Sequence, residues 1–294
     1  MRAAEGPRGS MTRILLTGAS GMLGSDLAQV LAGYDLATAT RAELDITDLI
    51  AVEEAVSGVD VVVNAAAYTA VDDAESHRDE AFAINEQGPR NLAIAAKTAG
   101  ARLIHVSTDY VFDGEATQPY AENTLRNPAS VYGQSKAAGE VAIQAEYPEG
   151  SIIVRTAWLY GQHGPNFPKT MLRLAQTKDT VSVVTDQIGQ PTWSMDLAQW
   201  IRSLIDSPVQ SGVFHGTNSG DTSWFEFARE VYRLAELDPE RIQPTTSDQF
   251  VRPAPRPSWS VLGHDAWANA GLPLPRPWEE ALAEAFPICF SEGS

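Results

Sequence analysis

Arg13-Ile14-Leu15-Leu16-Thr17-Gly18-Ala19-Ser20-Gly21-Met22-Leu23-Gly24 is the stretch whose reading decides the fold of this chain. Its first five residues form a short, mostly apolar run of the kind that becomes a buried parallel strand. Glycines at 18, 21 and 24 follow at once, and residues 25–31 then carry apolar side chains at helical spacing. Strand, glycine turn and helix in succession make a dinucleotide-binding unit. Glycines permit the tight turn and the close approach of a pyrophosphate, and the helix N-terminus offers N–H groups to the anion. The spacing is G-x-x-G-x-x-G rather than G-x-G-x-x-G, and glycine-rich turns also form for purely structural reasons, so the flanks must decide.

The flanks alternate. Strand-like runs at 36–40, 60–64, 102–107 and 152–156 are separated by helical segments at 48–56, 80–99 and 132–145. Such alternation implies a doubly wound parallel sheet with ligands outside the carboxyl ends of its strands, where Asn64, Ser107, Thr108 and Asp109 fall. Beyond residue 156 the pattern loosens into helices at 167–176, 196–205 and 224–234 with short strands near 181–184 and 213–216. The proline-rich run Pro253-Ala254-Pro255-Arg256-Pro257 cannot be helical, and a last amphipathic helix is expected at 278–286. The expected architecture is α/β: a Rossmann-like doubly wound sheet, mainly residues 11–160, with a smaller C-terminal α/β substrate-binding lobe, mainly 161–286. Residues 287–294 are expected to be a tail. Residues 1–10 precede a second methionine, Met11, and read as a disordered tag or extension.

Composition excludes several classes of function. A net charge of −17 opposes a general nucleic-acid or anionic-membrane surface, because phosphate backbones need stripes of Lys and Arg. No apolar run approaches the roughly 20 residues that span a bilayer. The single cysteine, Cys289, cannot form an intrachain disulfide, which fits a reducing, cytoplasmic setting. The five histidines show no metal-ligand spacing, and His105 and His215 sit inside apolar strands as core residues. No metal site is expected.

The chemistry concentrates in Val131-Tyr132-Gly133-Gln134-Ser135-Lys136. On a helix, residues four apart share a face, so the Tyr132 phenol and Lys136 ammonium point the same way. An ammonium near a phenol favours phenolate and lowers its pKa, making Tyr132 a candidate proton donor and acceptor. With eight tyrosines and lysines only at 97, 136, 169 and 178, roughly 0.1 such spacings arise by chance, so the pair is suggestive and needs its context.

That context resembles the extended short-chain dehydrogenases/reductases: the glycine turn, Asn64-Ala65-Ala66-Ala67, Ser107-Thr108-Asp109 and Tyr132-x-x-x-Lys136. More narrowly, the runs 107–114, 155–161, Asn166-Phe167, 186–192 and 256–262 are similar to the dTDP-4-dehydrorhamnose reductase family, from about Met11 to about Phe286. The resemblance implies a catalytic triad of Thr108, Tyr132 and Lys136. Gly18, Gly21, Met22 and Leu23 would meet the pyrophosphate, Asp45 and Ile46 the adenine, and Ala66, Ala67 and Tyr68 the nicotinamide side. Asp109 and Trp158 would contact the sugar. Asn85 would be the family's catalytic-site asparagine or a surface amide. Arg256, and Lys169 or Arg173, would be diphosphate partners or solvated charges.

At the end of the second strand Thr38-Ala39-Thr40-Arg41 stands where an NAD site usually places an acidic residue, so a hydroxyl and the Arg41 guanidinium suit a 2′-phosphate. NADPH is the expected cofactor, with NADH usable because Glu43 and Asp45 lie close by. The expected reaction is reduction of the C4 ketone of dTDP-4-dehydro-L-rhamnose to dTDP-L-rhamnose, on a small-molecule nucleotide sugar, by a chain that could form a homodimer. Two rivals remain at this stage: a sister nucleotide-sugar epimerase or dehydratase, and a non-catalytic nucleotide-binding regulatory subunit.

Overall fold

The computed structural model describes residues 11–290; the expected disordered extension at 1–10 lies outside the described residues. The first half runs β1 (Arg13–Thr17), α1 (Met22–Val30), β2 (Asp35–Ala39), α2 (Leu49–Val56), β3 (Val61–Asn64), α3 (Val71–Ala74) and α4 (Arg78–Phe82). A π-helical turn at Ala83–Gln87 leads into α5 (Gly88–Ala99), β4 (Arg102–Thr108), α6 (Val131–Glu146) and β5 (Ser151–Thr156). The second half adds β6 (Leu159–Tyr160), α7 (Phe167–Ala175), β7 (Val181–Val184), β8 (Ile188–Gly189), β9 (Thr192–Trp193) and α8 (Ser194–Asp206). It closes with β10 (Gly212–His215), β11 (Thr222–Ser223), α9 (Trp224–Leu234), β12 (Ile242–Thr245), α10 (Asp265–Asn269) and α11 (Trp278–Cys289).

Six strands make one all-parallel sheet in the order β10-β5-β4-β3-β1-β2. Every residue of β3 and β5 is buried, as expected for strands covered on both faces. One face packs Leu27 and Leu31 of the first helical unit against Leu197 and Ile201 of α8; the other packs Val52 and Val56 of α2, Leu92 of α5 and Ile143 of α6. Local signals fix the helix starts. Asp48 accepts from the N–H groups of Ile50 and Ala51 ahead of α2, and Ser130 from that of Gly133 ahead of α6, each cap contributing about 1 kcal/mol. The chain reverses from the β2 side to the β3 side at β1, so the carboxyl ends of β1, β3 and β4 open into one crevice.

Three elements depart from expectation. The helix expected over 80–99 is interrupted by the π turn, because Pro89 has no N–H for the carbonyl of Asn85. That carbonyl turns toward α6 instead, so close that a Cβ on Gly139 would lie 2.1 Å from it. Second, β10 and α8 fall in the sequence range read mainly as the smaller lobe, yet β10 pairs with β5 and α8 packs on α1 in the main layer. Third, α11 continues to Cys289 where a tail was expected from 287, because Trp278, Ala281, Leu282, Ala285 and Cys289 form one buried stripe; residues 291–294 of that tail lie outside the described residues.

The remaining elements build a second core around Tyr160, Trp193, Phe227, Tyr232, Trp278 and Leu282. The segments 186–192 and 256–262 dock on each other there: Gln190 Oε1 accepts from the N–H of Leu262 at 2.8 Å. The proline-rich loop then crosses to α3, where Asp72 receives Arg256 Nη2 at 2.9 Å and the N–H of Ala254 at 3.3 Å.

Candidate active site

A cleft of about 940 Å³ runs along the strand ends, between the sheet and the second core. Its floor at one end is the glycine turn. Gly18 has φ +73°, and a Cβ there would sit 2.5 Å from the N of Ala66; a Cβ on Gly24 would sit 2.1 Å from the carbonyl of Gly18. The turn therefore packs backbone directly on backbone. No side chain caps α1 at Gly21 and its first turn holds no acidic residue; the Gly21 N–H donates to the Gly18 carbonyl at 3.0 Å, and the N–H groups of Met22 and Leu23 are left for a ligand in the cleft they line.

At the end of β2, Arg41, Asp45 and Ile46 line the cleft. The Thr40 hydroxyl and N–H both donate to the Glu43 carboxylate, at 2.9 and 2.8 Å, which holds that carboxyl below its ordinary range. The hydroxyl expected to help with a 2′-phosphate is thus already engaged. Arg41 is the available cation: its side chain is 80 % exposed and, among the described residues, its one ion pair is a 3.3 Å contact with Glu80. Asp45 accepts from the N–H and hydroxyl of Thr47, which likewise lowers its pKa.

Beyond β3, Ala66, Ala67 and Tyr68 form the next stretch of wall. Asn85 fastens it. Its Oδ1 accepts from the Tyr68 N–H at 2.8 Å, and its Nδ2 donates to the Tyr68 carbonyl and to Ser135 Oγ, both at 3.0 Å. Of the two readings of Asn85, the surface amide is excluded, since it is 1 % exposed.

The end of β4 and the first turns of α6 bring together Thr108, Asp109, Tyr132 and Lys136. The Thr108 hydroxyl donates to Asp109 Oδ1 at 2.8 Å, and burial raises the Asp109 pKa to about 6 although that hydrogen bond pulls the other way. Tyr132 differs from expectation. Burial pushes its pKa up to about 12, outweighing the Thr108 hydroxyl that favours phenolate. Lys136 is buried too, brought down to about 8 against the pull of Glu140, and its ammonium goes to the Val106 carbonyl at 2.7 Å instead of to the phenol. The i,i+4 spacing places both side chains on one face as read, but desolvation rather than the neighbouring charge sets the state of the tyrosine.

Trp158 closes the far wall. Its φ of +46° is rare for a bulky residue. The ring stacks on Trp224 with centroids 3.6 Å apart and lies so close to Gly189 that a Cβ there would be 2.5 Å from Cε2. Trp224 went unsuspected as a support for this wall, since in sequence it is only the first apolar residue of a helix. The cations proposed for a diphosphate stand elsewhere. Arg256 pairs with Asp72 beside a separate cavity of about 210 Å³, and neither Lys169 nor Arg173 lines the cleft. Among the described residues no group of three or more His, Cys, Asp or Glu side chains could hold a metal ion, and no helix is long and apolar enough to cross a membrane.

A parallel doubly wound sheet, a glycine turn and a Tyr-x-x-x-Lys helix facing one cleft define a nucleotide-dependent oxidoreductase of the extended short-chain dehydrogenase/reductase class. Comparison with known proteins narrows this. Residues 11–289 match the family model described as RmlD substrate binding domain. A dTDP-4-dehydrorhamnose reductase of Streptomyces griseus is 48 % identical over 290 residues, covering 96 % of this chain and 95 % of that one. A dTDP-4-keto-6-deoxy-D-glucose reductase of Streptomyces niveus is 46 % identical over 286 residues, covering 96 % and 99 %. The crystal structure of the dTDP-4-dehydrorhamnose reductase of Bacillus anthracis in complex with NADP superposes with a TM-score of 0.91 at 39 % identity, covering 95 % of this chain and 99 % of that one. The chain belongs to the dTDP-4-dehydrorhamnose reductase family of NAD(P)H-dependent oxidoreductases.

Proposed function

We propose that the protein reduces the C4 ketone of dTDP-4-dehydro-L-rhamnose to dTDP-L-rhamnose, with NADPH as reductant and Tyr132 as proton donor. The observation that carries the reading is that Thr108, Tyr132 and Lys136 line the same cleft as the glycine turn. The residues present fit a nicotinamide dinucleotide: an uncapped helix N-terminus at Gly21 offers N–H groups to a pyrophosphate, and Lys136 has N–H capacity beyond its bond to Val106. When bound, the reduced nicotinamide supplies the hydride that adds to the C4 carbon. The sugar oxygen gains negative charge as that happens and needs donors beside it.

Tyr132 answers that need. With a pKa raised to about 12 it is a phenol throughout the neutral range, the form a proton donor for reduction requires. Thr108 supplies a second hydroxyl at the same oxygen, its own proton resting on Asp109 until the sugar arrives. Lys136 holds the ribose of the cofactor and keeps positive charge near Tyr132 as the phenol gives up its proton. Asp109 and Trp158 contact the sugar. At the glycine end Gly18, Gly21, Met22 and Leu23 carry the pyrophosphate, Asp45 and Ile46 flank the adenine, and Ala66, Ala67 and Tyr68 the nicotinamide. Arg41, exposed and paired only at 3.3 Å with Glu80 among the described residues, meets the 2′-phosphate, so NADPH is preferred; NADH is used less well.

The test is cofactor oxidation on a small panel of nucleotide 4-ketosugars, run with NADPH and with NADH. The expected result is the highest specificity constant for dTDP-4-dehydro-L-rhamnose with NADPH. Turnover of none of the panel, or a strong NADH preference, would contradict the corresponding part of the proposal.

A further inference from the structure

A buried polar chain runs behind the catalytic lysine and none of its members faces the cleft except the last. It starts at Asn64, which is fully buried at the end of β3. Asn64 Oδ1 receives the Ala66 N–H at 3.0 Å and the Thr17 hydroxyl at 2.7 Å. A backbone N–H can only donate, so this amide has one orientation: oxygen toward Ala66, nitrogen toward β4. The nitrogen meets Nδ1 of His105, itself fully buried, at 2.9 Å. An NH₂ group facing Nδ1 requires that nitrogen to be the acceptor, so the proton of the neutral ring is on Nε2. Nε2 lies 3.4 Å from Nζ of Lys136. Burial, and then the lysine charge, hold His105 far below its ordinary pKa, so the ring does not gain a second proton that would free this tautomer.

We propose that His105 is a positioning residue for the reductase: locked in one tautomer by Asn64, it directs an N–H at Lys136 and thereby sets where that lysine lies and when it carries charge. A donor aimed at an ammonium is unfavourable, and the length of the 3.4 Å contact fits two donors held face to face; a neutral amine would instead accept the bond. The groups around Lys136 divide by sign. Glu140, one turn further along α6, favours the ammonium, but Arg155 of β5 and Arg126 engage its carboxylate at 2.7–2.9 Å. Desolvation disfavours the charge, and an N–H of His105 aimed at Nζ would act in the same sense. His215 of β10 lies behind Arg155, Tyr132 stands one turn before Lys136, and Asp109 lies past the end of β4. His105 is thus the one neighbour whose tautomer, fixed from β3, decides which way it acts.

The inference rests on the proposed role of Lys136 only for its effect on turnover; both decisive measurements are made on the cofactor-free protein. Long-range proton–nitrogen NMR of the parent protein reads the tautomer directly, with Nε2 of His105 expected to be protonated and Nδ1 bare; the reverse assignment overturns the proposal. Carbon-13 label at Cε of the lysines gives few signals, since lysine occurs only at 97, 136, 169 and 178, and Lys136→Arg identifies the one that matters. The Lys136 signal should titrate near 8 in the parent protein and about one unit higher in His105→Phe, where the opposing donor is gone. His105→Gln, whose carboxamide can accept from Asn64 and still aim an N–H at Lys136, should stay near the parent value. An unchanged or lowered titration in His105→Phe overturns the proposal, because a histidine accepting from Lys136 would have been supporting the ammonium. The alkaline limb of kcat/KM should move with the lysine.

Discussion

The two ends of the cleft are built on opposite terms. At the glycine turn the chain presents backbone to the cleft, and the limits are steric, with Gly24 and Gly18 stacked closer than any Cβ permits. At the end of β4 the limits are electrostatic. His105, Asp109, Tyr132, Lys136, Glu140 and Arg155 are all buried within a few turns of one another, and burial leads the causes of shift for His105, Asp109, Tyr132 and Lys136. A site that only binds can be made from amides aimed by a helix, which keep their state at any pH. A site that moves a proton needs groups whose state is set by what surrounds them, and low-dielectric surroundings amplify each neighbour.

That contrast breaks most visibly at Tyr132. Tyr132→Phe removes one hydroxyl and little packing, so turnover should fall by about 10²–10⁴-fold while cofactor affinity, measured by fluorescence titration, stays within a few-fold. A variant that kept turnover within a few-fold of the parent would remove Tyr132 from the chemistry. Next in size is the cost of the buried acid. The Asp109 carboxyl has an ordinary pKa of 3.8 and one of about 6 in the folded protein, so folding favours its protonated form. Stability associated with that proton is complete below pH 4 and is lost as pH rises through 6, to the extent of about 3 kcal/mol. Asp109→Asn keeps the acceptor for Thr108 without the charge. It should therefore unfold at higher denaturant than the parent at pH 8 and at the same denaturant at pH 4; equal gains at both would mean that packing, not ionisation, explains the difference.

The smallest of the three effects belongs to the binding end. Gly24→Ala drives a methyl into the Gly18 carbonyl and should cost about 1–3 kcal/mol of stability with weaker cofactor binding, seen as a lower melting temperature with no shift in the pH profile. A moved pH profile would show that the two ends are not independent.

The binding end was the more legible from sequence. Three glycines between an apolar run and a helix state their own constraint, and residues 18–24 form the turn as read. At the end of β4, Tyr132 and Lys136 could be placed on one face from their spacing, but their pKa directions depend on burial, and His105, which touches Lys136 from thirty-one positions away, looks in sequence like any core histidine. The same limit explains β10. Val213-Phe214-His215 carries no mark of which sheet it joins, since pairing with β5 is a tertiary choice. The break at Pro89 was readable in principle, as proline inside a helical pattern always removes a donor.

The central claim is that this cleft performs a net reduction, not the oxidation and re-reduction of one sugar that an epimerase or dehydratase would carry out. The most direct test follows absorbance of the reduced nicotinamide against sugar product in one reaction. The account predicts about one NADPH oxidised per 4-ketosugar reduced, because the cofactor carries the only hydride transferred. Product formed without net oxidation of NADPH would contradict it.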